Sequence, residues 1–283
     1  MFDSSRSQNH TLQLLSKPSI NMADLSERQR REFEFYEEFS LMNPPQTFFE
    51  SISGEETRPW NPYWQVIEIV RRNFRSKDQK LLDFGCGKGE LSLLFSKLGY
   101  EVFGFDVSSN NIAIAKRLAS EYEMTERTHF QVSLAENLAY PNHYFDVLVG
   151  AEILHHVEIS QALSECSRVL KQGGVAIFHE PVRVPLFDAL RESKLGRWLV
   201  SKEASLERQI TQDERKLTAA DLEIIKSIGR SSSTQHFVLF SRLNPFFRVP
   251  KAPAFFEKAD FYLFKQFPFM KHFGGKVIIV LRK

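Results

Sequence analysis

The sequence has few cysteines and little net charge. Its two cysteines, Cys86 and Cys166, form no CxxC pair and no cluster with histidine, so neither a disulfide framework nor a structural zinc site is indicated. No spacing of carboxylates or histidines is typical of a metal site. The formal net charge of +2 is too small to indicate a nucleic-acid partner by itself. We therefore expect no metal and no nucleic acid.

Long apolar runs are also missing. None approaches the ~20 residues needed to cross a bilayer. The first residues lack the basic segment followed by an apolar core that is typical of a signal peptide. These features predict a cytoplasmic protein with at most a peripheral contact to a membrane.

From Lys80 onward, short apolar runs alternate with amphipathic helical patterns. The runs are "KLLDF", "EVFGFDV", "THFQVSL", "YFDVLVGA" and "GVAIFHE", and the helical patterns between them cover 89–98, 109–122 and 159–170. This alternation is typical of βαβ units, which form a parallel sheet with helices on both faces. Further strands at 234–241 and 276–283 bring the number to seven. We predict an α/β fold with a Rossmann-like, doubly wound, mostly parallel seven-stranded sheet.

The rest of the chain is expected to add pieces around this core. A helix over 23–42, capped by Asp24 or Ser26 and stopped by "NPPQ", predicts an N-terminal helical cap. Further helices are predicted near 62–75, 185–200 and 217–228. We predict four parts: a tail with the helical cap over 1–59, a core over 60–243, a Phe-rich insert over 244–273 and a final core strand over 274–283.

The Phe-rich insert contains nine phenylalanines interleaved with basic residues, namely Arg248, Lys251, Lys258, Lys265 and Lys271. One interpretation is a helix whose aromatic face packs on the domain, since Phe256, Phe264 and Phe267 fall roughly at helical spacing. Another is a lid over a large apolar acceptor, or a surface that touches a membrane with its basic residues near the headgroups. We expect a lipid-like or polyketide-like acceptor.

The stretch "LLDFGCGKGELS", residues 81–92, places three glycines within five residues. A phosphate-binding P-loop requires GxxxxGK followed by Ser or Thr, whereas Lys88 is followed by Gly89. A dinucleotide fold requires GxGxxG, but the spacing here is GxGxG, and the Glu90 carboxylate would repel a pyrophosphate. The interpretations that remain are a turn that only packs and a backbone cradle for a nucleoside.

Asp106 ends the next predicted strand, in "EVFGFDVS". A carboxylate at the end of a second strand is well placed to accept hydrogen bonds from both hydroxyls of a ribose. The pattern thus indicates a nucleoside with free ribose hydroxyls and without phosphate chemistry. S-adenosylmethionine meets that description.

With these motifs, residues 60–182 resemble the class I S-adenosylmethionine-dependent methyltransferases. "LLDFGCGKGELS" is similar to the first motif of the family, "FGFDVS" to its second-strand acid, "SLAENLAYPNHYFDVLVGAEILHHV" to its adenine loop and fourth strand, and "SRVLKQGGVAIFHEP" to its fifth-strand region. Within the family, the motif residues are most similar to those of small-molecule enzymes that resemble quinone and sterol C-methyltransferases.

The resemblance implies a set of contacts to the cofactor. Asp83 and the backbone from Gly85 through Cys86 to Gly87 would hold the methionine part, and Asp106 the ribose. The remaining implied contacts are Val107, Ala135 and Glu136 at the adenine and Ala151 near the sulfonium. Leu134 stands where many relatives have an aspartate that accepts from the adenine amino group, so backbone or Glu136 would have to serve instead.

Methyl transfer from a sulfonium mainly requires alignment and exclusion of water, and a base is needed only if the acceptor must lose a proton. Candidate catalytic residues are Glu152, His155 and His156 in "AEILHHVE", although each histidine would equally serve as a packing or capping residue. The same choice, acceptor contact or structural use, applies to His179 and Glu180.

The function predicted from these patterns is methyl transfer from S-adenosylmethionine to a small hydrophobic acceptor. A protein or nucleic-acid acceptor is an alternative, although "NPPQ" follows a helix and lacks the aromatic residue that adenine-modifying enzymes carry. A non-catalytic protein with the same fold is another, and an NAD-dependent reductase is disfavoured by the glycine spacing.

Overall fold

A seven-stranded β-sheet organises the chain, in the order β3-β2-β1-β4-β5-β7-β6. The structure is a computed structural model and describes residues 20–42, 58–74, 79–192, 215–241 and 252–283. Strand β7 runs antiparallel to both of its neighbours, and the other pairs are parallel. The strands are β1 Lys80–Phe84, β2 Glu101–Asp106, β3 Thr128–Val132, β4 Phe145–Ala151, β5 Leu170–Pro181, β6 Ser231–Phe237 and β7 Lys276–Arg282. The predicted fold class is confirmed.

Helices cover both faces of the sheet. They are α1 Glu27–Met42, α2 Pro62–Asn73, α3 Glu90–Lys97, α4 Ser109–Glu121, α5 Ile159–Val169, α6 Pro185–Glu192, α7 Ala219–Ser227 and α8 Ala252–Gln266. One apolar layer joins α2, α3 and α4 to the sheet, and the other joins α5 and α7. Because side chains alternate along a strand, neighbouring residues enter different layers, as Leu81 and Leu82 do.

Two helix starts follow from local hydrogen bonding. The Ser26 hydroxyl accepts from the Gln29 amide at 3.3 Å, and the Gln29 side chain accepts from the Ser26 amide at 3.0 Å, so Ser26 is the cap of α1. Asn61 accepts from the amides of the first turn of α2, and Pro62 opens that helix with its fixed φ.

The predicted bounds of β6 were wrong. The strand covers Ser231–Phe237 rather than 234–241. Val238 has a φ of 65°, which ends the extended conformation, and the amides of residues 239–241 are bonded instead by the carboxylate of Asp260 in α8. The apolar sequence "HFVLF" contains no sign of this break, so the strand was predicted to continue through it. The polar residues 231–233 instead pair with β7 and begin the edge strand.

The Phe-rich insert contains α8 and a short 3₁₀ helix, Pro268–Phe273, while residues 242–251, with Arg248 and Lys251, lie outside the described residues. Phe256 and Phe264 are half-buried, in line with a packed aromatic face. Phe267 does not share that face, because the helix ends at Gln266 and Phe267 is 46% exposed. The predicted 185–200 helix is seen as α6, and its second half also lies outside the described residues.

The topology brings the functional candidates to one edge. The carboxyl ends of β1, β2, β4 and β5 meet there, because these strands are parallel. Antiparallel β7 contributes its first residue to the same edge, where Lys276 lies opposite Pro181. Groups from distant parts of the chain are thereby placed together.

Candidate functional site

The glycine-rich turn after β1 combines packing with open space. All three of its glycines have positive φ, at 76°, 51° and 82° for Gly85, Gly87 and Gly89. A Cβ atom at Gly85 would lie 2.7 Å from Ile153, and one at Gly89 would lie 2.8 Å from Ala115. A Cβ at Gly87 would meet nothing within 4 Å. On the side where a Cβ would stand, the outer two glycines therefore pack against protein, and Gly87 faces open space.

The carboxylate of Asp106 ties this turn to the end of β2. The Gly87 amide donates to its Oδ2 at 3.0 Å. Its Oδ1 accepts from the Ser108 amide at 2.9 Å and from the Asn111 side chain at 3.1 Å. These bonds fix the orientation of the carboxylate, while burial raises its pKa.

Two more carboxyl groups, those of Asp83 and Glu90, lie beside the turn. Asp83 is 2% exposed and accepts from the Ser92 hydroxyl at 2.5 Å. Burial raises its pKa to about 7, although the Ser92 bond acts in the opposite direction. Burial also raises the pKa of Glu90 to about 6, against the effect of Lys88. An edge with this excess of buried carboxyl groups suits a ligand that carries positive charge.

The residues predicted to lie against adenine occupy different environments. Val107 is partly exposed next to Asp106, whereas Ala135 is 5% exposed within the core. The Glu136 carboxylate accepts from the Glu158 amide at 3.0 Å, at the start of α5. One of its two carboxylate oxygens is thus engaged in holding a helix end.

A buried carboxylate holds the turn that follows β4. Glu180 is fully buried, and its Oε1 accepts from the amides of Ile153 and Leu154 at 2.9 and 2.8 Å. Its Oε2 lies 2.7 Å from Nδ1 of His155, which is 4% exposed. Glu180 is therefore a structural partner of His155. For Glu180 itself, this geometry favours a structural role over contact with the acceptor.

His156 joins the same turn to the N-terminal helix. Its Nε2 lies 3.0 Å from the Tyr36 hydroxyl, and its Nδ1 lies 3.3 Å from a carboxylate oxygen of Glu32. At the other side of the edge, the Glu37 carboxylate accepts from the amides of Ser109 and Asn110 at the start of α4. Helix α1 is therefore bonded both to the turn after β4 and to the start of α4, and its role as a helical cap stays a prediction.

The third predicted catalytic residue, Glu152, belongs to a polar cluster with His179, Lys276 and Tyr63. Glu152 has a φ of 59°, a conformation that non-glycine residues rarely adopt, and its amide donates to the His179 carbonyl at 2.8 Å. The Lys276 ammonium donates to its Oε1 at 2.5 Å. The preceding residue, Ala151, is partly exposed beside it. This cluster faces the α2 side of the sheet.

The imidazole of His179 has an unusual environment. It is fully buried, and neither ring nitrogen has a hydrogen-bond partner among the described residues. Its Nδ1 lies 3.8 Å from Oε1 of Glu152, and the Tyr63 ring packs edge-on with ring centres 4.9 Å apart. Burial and the nearby Lys276 ammonium lower its pKa to about 4, so the ring is neutral at pH 7.

Sequence patterns did not identify Tyr63, Lys276 or the α1 residues as part of the site. Tyr63 follows a helix-starting proline and Lys276 starts an apolar strand, and neither position belongs to a recognisable motif. Tyr63 and Lys276 can be recognised as members of the site only once the strand order is known. Within the described part of the chain, no three His, Cys, Asp or Glu side chains converge as metal ligands would.

The described helices include none that is both long enough and apolar enough to span a bilayer.

Comparisons with known proteins agree with the geometry. A family model described as "Methyltransferase domain" matches residues 82–178, about a third of the chain. The ubiquinone biosynthesis O-methyltransferase of Cereibacter sphaeroides is 35% identical over 139 residues, which cover 48% of this chain and 56% of that protein. Its counterpart from Sinorhizobium medicae is 29% identical over 175 residues, covering 58% and 70%. The chain thus spans between about half and 70% of the relatives it matches.

Solved structures share the fold at lower identity. The [4+2]-cyclase SpnF has a TM-score of 0.56 and 19% identity, over 90% of this chain and 96% of that one. Geranyl diphosphate C-methyltransferase from Streptomyces coelicolor has a TM-score of 0.57 and 14% identity, over 91% and 98%. At these identities the likeness establishes the fold alone.

Proposed function

We propose that this chain methylates a small hydrophobic acceptor, using the class I S-adenosylmethionine-dependent methyltransferase domain formed by residues 82–178. One solved protein with this fold is named as a cyclase, so the fold by itself does not carry the activity. The observation that carries it is the Gly87 amide bonded to the Asp106 carboxylate beside open space.

The residues of the edge fit S-adenosylmethionine. The open space at Gly87 lets the ligand approach the backbone, and the buried carboxyl group of Asp83 and the partly buried one of Glu90 suit its positive charge. The contacts we propose are Asp83, Gly85, Cys86, Gly87, Asp106, Val107, Ala135 and Ala151, with Glu136 acting only through the end of α5. When bound, the cofactor supplies a methyl group already activated by a sulfonium.

The chain's own part is to bind, orient and exclude water. Asp106 holds a fixed acceptor for ribose hydroxyls, because three donors of the protein keep its carboxylate in place. Helix α1 lies over the edge through Glu37 and His156, which limits access of water. Of the predicted catalytic residues, we propose that Glu152 contacts the acceptor, since it is 31% exposed, while His155 and His156 position the turn.

Two of the similar proteins support an apolar small acceptor for this chain. One is named for ubiquinone biosynthesis, and the other was crystallised with geranyl diphosphate analogues. Both names describe small molecules with hydrophobic character, in agreement with the acceptor class predicted from the Phe-rich insert. A protein or nucleic-acid acceptor draws no support from them.

The proposal is tested by calorimetry and by transfer of a labelled methyl group. We expect S-adenosylhomocysteine to bind, and label from S-adenosylmethionine to enter a hydrophobic hydroxylated acceptor in a panel that also contains polar acceptors, protein and RNA. Binding without transfer to any acceptor would favour a non-methylating protein of this fold. Absence of binding would contradict the proposed cofactor.

We further propose that α8 contacts anionic lipid surfaces, which is one of the interpretations that the interleaved phenylalanines and lysines allowed. Phe255 and Tyr262 are 67% and 59% exposed, and Lys258 and Lys265 follow them by three residues each, at helical spacing. Phe269, just after the helix, is 65% exposed. Aromatic rings with neighbouring lysines are the combination that binds the interface of acidic membranes.

Replacing Phe255 and Phe269 together with serine is expected to weaken binding to phosphatidylglycerol-containing vesicles by about tenfold, because two exposed rings no longer enter the interface. Sedimentation with vesicles measures this, and phosphatidylcholine vesicles should bind more weakly. Leu41→Ser is the control, since Leu41 is 74% exposed on α1. Equal loss in the control, or no vesicle binding by the wild type, would contradict the proposal.

A further inference from the structure

His179 is a buried polar group that has no hydrogen-bond partner in the part of the chain that the structure describes. Its side chain is fully buried, and both ring nitrogens lack a hydrogen-bond partner among the described residues. Native proteins rarely leave such groups unpaired, because a buried donor or acceptor without a partner costs about 1–3 kcal/mol. The position therefore suits a hydrogen bond from a ligand atom, since the described residues supply no partner.

We propose that Nε2 of His179 accepts a hydrogen bond from a hydroxyl group of the methyl acceptor, and that this bond makes the site select hydroxyl-bearing acceptors. The inference rests on the proposed function, because it assumes that the acceptor binds at the carboxyl edge. It adds the residue that recognises the acceptor and the chemical group that is recognised.

The place of His179 in the sheet supports this role. It lies near the end of β5 and is paired with Ala151 of β4, next to Glu152. Its strand neighbours, Phe178 and Glu180, point into the opposite layer, toward α5 and the turn after β4. The imidazole is therefore on the α2 side, where Asp83 and Ser92 also lie behind the glycine turn.

The surrounding charges fix which nitrogen is free to accept. Oε1 of Glu152 lies 3.8 Å from Nδ1, so the tautomer with its hydrogen on Nδ1 is favoured. That tautomer leaves the lone pair on Nε2. The Lys276 ammonium, 2.5 Å from the same Glu152 oxygen, disfavours a second positive charge on the ring. A neutral ring with a lone pair on Nε2 is an acceptor for O–H.

The cluster around His179 reaches the surface. Glu152 and Lys276 are 31% and 32% exposed, and Tyr63 is partly exposed at the first turn of α2. A ligand that contacts these three side chains is next to the imidazole. A methyl ether in the same place offers no hydrogen to Nε2, so an acceptor without a free hydroxyl group is expected to bind more weakly.

The test compares phenol with anisole, its methyl ether, as probes of the full chain saturated with S-adenosylhomocysteine. In protein labelled with ¹⁵N-histidine, we expect phenol to shift the Nε2 resonance of His179 and anisole to leave it in place. Phenol should also bind about tenfold more tightly than anisole, which corresponds to about 1.4 kcal/mol for the hydrogen bond. The same titration is repeated without S-adenosylhomocysteine.

Three variants separate recognition from structure. His179→Phe keeps a buried ring, and the ratio of the phenol affinity to the anisole affinity should fall to about one. His179→Gln keeps an acceptor oxygen and should retain part of the preference. His236→Phe is the matched control, because His236 is a second histidine whose pKa burial lowers to about 4, on β6 and next to Gly274. Its replacement should leave the preference unchanged.

The outcomes distinguish this inference from the proposed function. Equal affinities of phenol and anisole for the wild type, or a phenol preference that survives in His179→Phe, would overturn the role of His179 even if S-adenosylhomocysteine binds. Failure of S-adenosylhomocysteine to bind would instead contradict the cofactor, and the hydroxyl preference would still be read from the titration without it.

Discussion

Gly87→Ala is expected to weaken S-adenosylhomocysteine binding by about 100-fold or more, while the protein stays folded. The added methyl meets no protein atom within 4 Å, so it enters the space beside Asp106 that the ligand needs. The φ of 51° adds strain of about 1–2 kcal/mol for a residue with a Cβ, which a folded domain of this size tolerates. Calorimetry gives the affinity, and urea unfolding gives the stability.

Gly173→Ala separates the strain from the loss of space. Gly173 has a φ of 76° and also has no atom within 4 Å of an added Cβ. It lies at the opposite edge of the sheet, where its amide donates to the Lys283 carbonyl at 3.1 Å. This variant should lose similar stability and keep full affinity. Unchanged affinity in Gly87→Ala would show that the middle glycine does not border the cofactor.

Asp83→Asn is expected to become more stable relative to the wild type as the pH rises, by roughly 4 kcal/mol between pH 4 and pH 8. Burial raises the pKa of Asp83 to about 7 from an ordinary value of 3.8. Below pH 4 the carboxyl group is protonated in the folded and the unfolded chain, so it causes no penalty. Between pH 4 and 7 only the unfolded chain ionises, which favours unfolding, and above pH 7 the full penalty remains.

Urea unfolding at several pH values measures this difference. Any constant effect of the asparagine amide cancels, because only the change with pH is compared. Asp221→Asn is a control of opposite sign, since hydrogen bonds from Arg215 and Thr218 hold the pKa of Asp221 well below its ordinary value. That variant should lose stability relative to the wild type as the pH rises toward about 4, and the difference should stay nearly constant above that pH. A pH-independent difference for Asp83→Asn would mean that Asp83 ionises normally in the folded protein.

The sequence was sufficient for the parts of the site that lie in local motifs. Gly87 and Asp106 were predicted together because each follows a recognisable strand, and parallel strands bring their ends to one edge. The bounds of β6 were wrong for the converse reason. The serines at 231–233 form a strand only because β7 pairs with them. The apolar residues after Phe237 do not continue the strand, because the Asp260 carboxylate in α8 accepts hydrogen bonds from their backbone amides.

Roles that depend on distant partners could not be predicted. His155 and His156 are adjacent, and the sequence indicated only that they would point in different directions. Their partners are 25 residues away in Glu180 and 120 residues away in Tyr36. Likewise, Lys276 reaches Glu152 only because β7 is antiparallel. No local pattern contains that information, since it resides in the strand order.

The position of β7 between β5 and β6 also sets an order for folding during translation. Strands β1 to β5 can pair as they leave the ribosome, because each finds its neighbour in chain already made. The outer edge of β5 stays open until Lys276–Arg282 has been synthesised, and β6 waits with it although it comes earlier in the chain. The nascent protein therefore carries an unpaired apolar strand edge throughout the synthesis of α8, and a chain broken off before residue 276 would present that edge to other chains.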